Sequence, residues 1–196
     1  MPSQPVQENE IENPASSANM VMHSLDAVRL EKRIAGYDWA KLGVELTASG
    51  NVVLQSLLSP AQCAAIALSY VQESLFRSHI VMARHGFGKG EYRYFKYPLP
   101  DLIQALRTAL YPSLADVAND WNERMGIAET FPTAHADYLK LCHAVGQTRP
   151  TPLLLQYVAG DYNCLHQDLY GEHVFPLQVA ILLSQPGEDF RGGEFV

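Results

Sequence analysis

The sequence predicts an α+β chain in which a helical layer supports an antiparallel β-sandwich or barrel. Two observations carry this. Helical apolar periodicity, with short strands between, runs from Leu25 to about Val145. After Pro150 the chain changes to short β-rich runs separated by Gly and Pro turns. Helices first and antiparallel strands later suggest a helical layer supporting a β-sandwich or barrel. The 196 residues, 47% hydrophobic and 18% charged, are enough for one packed core.

The elements follow in order. Residues 1–24 are rich in Pro, Gln, Asn, Ser and Glu, and read as a disordered tail. A helical pattern covers 25–49, with a break near Gly36 and Asp38, and Asn51–Gln55 reads as a short strand. Ser59-Pro60-Ala61-Gln62 is a helix start: Ser59 caps, Pro60 fits the first helical position, and Gln62 closes a capping box. That helix is expected to reach about Glu73. His79–Arg84 reads as a strand, and Gly86-Phe87-Gly88-Lys89-Gly90 as a flexible loop. The loop is no dinucleotide fingerprint, because its third glycine comes one residue early and a strand-like YRYFKY follows where a helix is required. Asp101–Met125 and Pro132–Val145 read as helices, the first with a possible interruption at Pro112. Strands are expected over 153–158, 163–168, 174–184 and 194–196. The organisation is therefore a tail (1–24), a mainly helical supporting region with short strands (25–150), and a β-core (151–196).

Bulk properties narrow the partners. The net charge of −7 points away from general affinity for nucleic acid or anionic membranes, although a local basic patch can override a total. Cys63, Cys142 and Cys164 are odd in number and contain no C-x-x-C pair, so neither a disulfide framework nor a structural zinc is expected, and a reducing cytoplasm is. The polar, acidic N-terminus lacks the basic start and apolar run of a signal peptide. No apolar stretch is long enough to span a bilayer.

The chemistry concentrates in Gln156–Gly171, which holds His166-Gln167-Asp168. On a strand, side chains two apart share a face, so an imidazole and a carboxylate converge there. That is two-thirds of the facial triad of two His and one carboxylate that suits Fe(II). The bare H-x-D pattern is weak, since His135-Ala136-Asp137 repeats it. The second copy lies at the start of a helical pattern, where residues two apart do not face each other. Asp137 there is better read as a first-turn carboxylate, and His143 as a C-terminal cation or packed polar group.

Around His166 the wider pattern is more specific. Tyr157, Gly160, His166 and Asp168, then Phe175–Ser184, then Asp189-Phe190-Arg191-Gly192-Gly193-Glu194-Phe195, match in order and spacing. This stretch resembles the Fe(II)/2-oxoglutarate-dependent oxygenase superfamily, most closely its prolyl-hydroxylase-like branch. The resemblance covers about Leu153 to Val196. It implies an incomplete double-stranded β-helix, or jelly roll, behind N-terminal supporting helices. It implies His166 and Asp168 as metal ligands, and Tyr157 as a contact to 2-oxoglutarate. Gly192 and Gly193 would form a tight turn, and Asn163 and Gln178 could line the pocket. The implied cofactors are Fe(II), 2-oxoglutarate as cosubstrate, and ascorbate. The implied activity is that of an oxidoreductase, a dioxygenase hydroxylating a protein side chain or small molecule with release of succinate and CO2. The family pattern also needs a distal His and an Arg clamp for 2-oxoglutarate, and the sequence supplies neither before Val196. The expectation is thus a core cut short, and a chain that turns over little by itself.

Two alternatives stand beside this reading. One is a non-catalytic metal-binding jelly roll or interaction module. The other is a nucleic-acid demethylase of the same superfamily, to which Arg84–Tyr97, with Arg84, Lys89, Arg93 and Lys96 interleaved among five aromatics, could contribute. The simpler reading of that stretch is an alternating strand with one aromatic face in the core. Protein or small-molecule partners are expected over nucleic acid.

Overall fold

A computed structural model describes residues 27–168 and 171–193. The proposed tail at 1–24 and the final strand at 194–196 lie outside the described residues.

Five helices carry the fold: α1 (27–35), α2 (Trp39–Ser49), α3 (Pro60–Leu68), α4 (Asp101–Met125) and α5 (His135–Ala144). The expected break before α2 is present. Gly36 ends α1, and Asp38 caps α2 by accepting the Lys41 N–H at 3.0 Å. The capping box of α3 forms as its sequence requires: the Ser59 hydroxyl accepts the Gln62 N–H and the Gln62 amide oxygen accepts the Ser59 N–H. α3 is shorter than expected. It ends at Leu68 and continues as 3₁₀ turns to Leu75.

α4 runs unbroken through Pro112, which removes only the N–H that would reach the Thr108 carbonyl. It ends at Gly126, whose φ of +70° satisfies the last turn. Asn119 and Asn122 then fold the following loop back. The Asn119 amide both donates to and accepts from the Phe131 backbone, and Asn122 donates to the Glu129 carbonyl.

Three apolar clusters attach to α4. Leu106 and Leu110 pack with Leu30, Ile34 and Leu57. Leu102 and Ile103 reach Ile66, Tyr70, Phe95, Leu99 and Leu154. Tyr111, Ala115 and Ala118 pack with Phe131, Tyr138, Phe175 and Leu177.

The β-structure is small and open. Strands β1 (Phe76–Val81), β3 (Glu91–Phe95) and β4 (Leu153–Gln156) form an antiparallel sheet in the order β1-β3-β4. Two-residue strands β2 (Gly88–Lys89) and β5 (Tyr162–Asn163) make a second antiparallel ladder. Along β3, Phe95 points into the helices while Tyr92 and Tyr94 occupy the opposite face by strand alternation.

This corrects the predicted jelly roll. Among the described residues the sheets do not close, and helices dominate. Residues 51–55 and 174–184 form no strands. The period-two pattern of 174–184 is real but serves a different end. Phe175 and Leu177 insert beside Tyr111, Ile181 reaches the cluster of Leu30, and Leu183 reaches the cluster of Phe95. The segment thus lies over the helical layer with alternate side chains inward. Alternation specifies which side chains are buried; a ladder needs a neighbouring backbone as well.

Candidate functional site

The segment that holds the candidate ligands is built by glycines. At Gly88 φ is +117°, and a Cβ there would collide with the Tyr162 carbonyl. At Gly90 φ is +116°, and a Cβ would sit 2.7 Å from the Tyr157 ring. The alternate glycines of Gly86–Gly90 are therefore what lets β2 approach β5 and lets Tyr157 lie on the chain. Within the predicted flexible loop, Gly88 and Gly90 are close-packed against β5 and Tyr157, while Gly86 and Phe87 face open space. Gly88→Ala should lower stability by about 2 kcal/mol through the positive φ and the lost approach; urea melts compared with Gly86→Ala, where space is open, would check this.

Tyr157 is 42% exposed, and burial of its inner part, followed by the charge of Asp161, raises its pKa. It stays a neutral phenol at physiological pH. After it comes a tight turn. The Asp161 carboxylate accepts the Val158 N–H at 2.9 Å, the Asp161 N–H donates to the Val158 carbonyl, and Gly160 takes φ +85°.

His166 and Asp168 follow β5 outside any strand, so the expected strand placement is not seen. Their side chains nevertheless come together. His166 Nε2 stands 3.6 Å from an Asp168 oxygen, and both side chains are about half exposed. His166 Nδ1 lies 2.8 Å from the Cys164 carbonyl. A carbonyl can only accept, so Nδ1 carries the hydrogen that meets it. Gln178 donates to the other Asp168 oxygen at 3.2 Å. The sequence reading named Gln178 as a possible pocket residue; its contact is with the carboxylate.

The other histidines lie in different surroundings. His135 begins α5, is buried, and packs against the Tyr111 ring. Asp137 is in the first turn of the same helix and pairs with Lys140 at 2.7 Å. Both lie on the helix that the sequence predicted for them. His143 is in the last turn of α5. His173 sits 3.7 Å from Glu129. Its backbone is clasped by Gln147, whose oxygen accepts the Glu172 and His173 N–H groups and whose NH2 donates to the His173 carbonyl. No motif announces Gln147, because an amide that folds back over 26 residues leaves no local pattern.

Gly192 and Gly193 have φ of +77° and +75°, and the Phe190 ring lies 3.4 Å from where a Gly193 Cβ would be. Asp189 closes the preceding turn by accepting the Gln185 N–H at 2.7 Å.

Residues 90–196 match the Oxygenase-NA family, described as an oxygenase catalysing oxidative methylation of damaged DNA. The chain belongs to this family. Within it, the match supports an oxygenase-like superfamily and does not single out a prolyl-hydroxylase-like branch. Two curated proteins of Mycobacterium tuberculosis are similar: uncharacterized protein MT2286 of strain CDC 1551 / Oshkosh, and uncharacterized protein Rv2227 of strain ATCC 25618 / H37Rv. Each is 51% identical over 102 residues, which is 52% of this chain and 44% of the relative. The match thus spans a little under half the length of these relatives. No solved structure matches.

Membership of an oxygenase family does not supply the expected metal centre. Among the described residues, no group of three or more His, Cys, Asp and Glu side chains is placed to hold a metal ion. His166 and Asp168 are two donors, and an iron site of this type needs a third. The donor set does not fit Fe(II), so the expected dioxygenase or hydroxylase activity is set aside. Without the metal, the expected 2-oxoglutarate and ascorbate lose their anchor and their reaction. Among the described residues, no helix is long and apolar enough to cross a membrane.

Proposed function

We propose that this chain is a non-catalytic binding module of the oxygenase family, which engages DNA through the face that carries His166 and Asp168. The observation that carries the reading is the pair itself. Its two side chains are brought together and oriented by Cys164 and Gln178, they are half exposed, and they lack a third donor among the described residues. An oriented imidazole and carboxylate can hydrogen-bond a base edge or a backbone oxygen without any metal. The family's chemistry on damaged DNA supplies the partner class. The net charge of −7 is a whole-chain figure, and local cations decide contact with phosphate. On this reading, the pattern that resembles the prolyl-hydroxylase-like branch is a recognition element.

Fluorescence anisotropy of a labelled 15-mer single strand tests this. Saturable binding that weakens as salt rises is expected. His166→Ala should weaken binding severalfold with an unchanged melting temperature, because the side chain is half exposed. Succinate formation with Fe(II), ascorbate and 2-oxoglutarate should not exceed the blank. Metal-dependent turnover, or no binding at low salt, overturns the reading.

A further inference from the structure

Residues 82–89 precede the family-matched region, and the binding reading above does not use their side chains. Met82, 1% exposed, anchors them. Its N–H donates to the Gly90 carbonyl at 3.0 Å, and its carbonyl accepts the N–H groups of His85 and Phe87 at 2.9 and 3.2 Å. The Phe87 carbonyl in turn accepts the Cys164 N–H at 2.9 Å. The backbone is therefore fixed from inside and from the side of β5. On that fixed backbone the His85 and Phe87 rings stack on each other, centroids 5.4 Å apart and 22° from parallel. Both side chains are exposed, Phe87 at 45%. Arg84 and Lys89 flank them and are exposed too, and Tyr162, paired with Lys89 in the ladder, is 55% exposed.

The nearby carboxylates are committed elsewhere. Asp161 is held in its own turn, and Glu91 is bonded to Tyr70 and to His79. Both cations of the segment are exposed, as are the rings next to them in sequence and, for Lys89, its ladder partner Tyr162. A ladder step away, the Cys164 carbonyl orients His166.

The geometry points to a base-stacking platform: the Phe87–His85 pair receives an unstacked nucleobase of single-stranded DNA, and Arg84 and Lys89 meet the flanking phosphates. This rests on the DNA-binding reading and extends it to a second contact outside residues 90–196. Ring faces select a flat π partner, and cations at either end select a charged backbone. A duplex keeps its bases inside and offers the platform nothing to stack on, so the preferred partner is a single strand.

The labelled 15-mer, as a single strand and as a duplex, decides the matter with two variants. Phe87→Ala should weaken single-strand binding about tenfold, the usual loss for one stacked base, and change duplex binding little. Phe87→Trp should bind at least as well as the native chain, and its added emission should be quenched when the single strand is supplied. Circular dichroism checks folding, and the Phe87→Trp signal remains decisive if Phe87→Ala proves unstable. If the native chain binds DNA while Phe87→Ala binds equally and Phe87→Trp is not quenched, the platform is refuted and the His166 face stands. If the native chain binds no DNA, both readings fall.

Discussion

Phe95→Ala is expected to lower the free energy of unfolding by about 4 kcal/mol, the usual loss for a buried phenyl ring. Phe95 is 1% exposed, stacks on Phe76 with centroids 4.8 Å apart, and fills the cluster of Ile66, Tyr70, Leu99 and Leu154. It therefore joins β3 to α3, to the approach of α4 and to β4. Against a typical total of about 5–15 kcal/mol, such a loss brings the fold near its limit. Phe95→Leu, which keeps most of the volume, should cost about 1.5 kcal/mol. Urea titration of both variants checks this. A loss below about 1 kcal/mol for the alanine would mean that the sheet relaxes onto the helices and that the packing there is not specific.

The second large effect is acid lability. Burial, and then the charge of Arg107, depress the pKa of His135 from 6.5 to about 4. Its place in the first turn of α5 adds to the penalty, since the helix N-terminus disfavours a cation. In the unfolded chain His135 takes up a proton near its ordinary value; in the folded chain it resists until about pH 4. Between those values the unfolded state binds more protons, so stability falls as pH falls. The contribution is fully present above pH 6.5 and lost progressively toward pH 4, with a total of about 3 kcal/mol. The slope of stability against pH should shrink in His135→Asn. Parallel slopes for the two proteins would assign the acid sensitivity to other groups.

The legible parts of the fold were those written in local chemistry. Ser59, Pro60 and Gln62 fix the start of α3 because a capping box needs only residues three apart. Gly36 and Asp38 mark the break before α2 for the same reason. The His135–Asp137 copy was placed on a helix from its local pattern, and it lies there at the start of α5. What the sequence could not convey is which backbone lies alongside which. Residues 174–184 alternate as a strand does, yet their inward side chains serve three clusters on helices. The Gly86–Gly90 run reads as slack when seen alone. Its purpose becomes visible only when the Tyr162 carbonyl and the Tyr157 ring are placed against it. The candidate site divides in the same way. The His166–Asp168 pair was named from its spacing and Gln178 from the resemblance, whereas the Gln178 contact to the Asp168 carboxylate is a three-dimensional fact.

The long helix α4 has a consequence for how this molecule comes apart. At 25 residues it spans about 37 Å, and each of the three apolar clusters draws side chains from it. No cluster can lose its share of this helix and persist. Its own contacts are local and can form early, whereas the flanking segments have nothing to dock against until it exists. The residues of these three clusters are therefore expected to open together, with amide exchange in the middle of α4 occurring only when all three come apart.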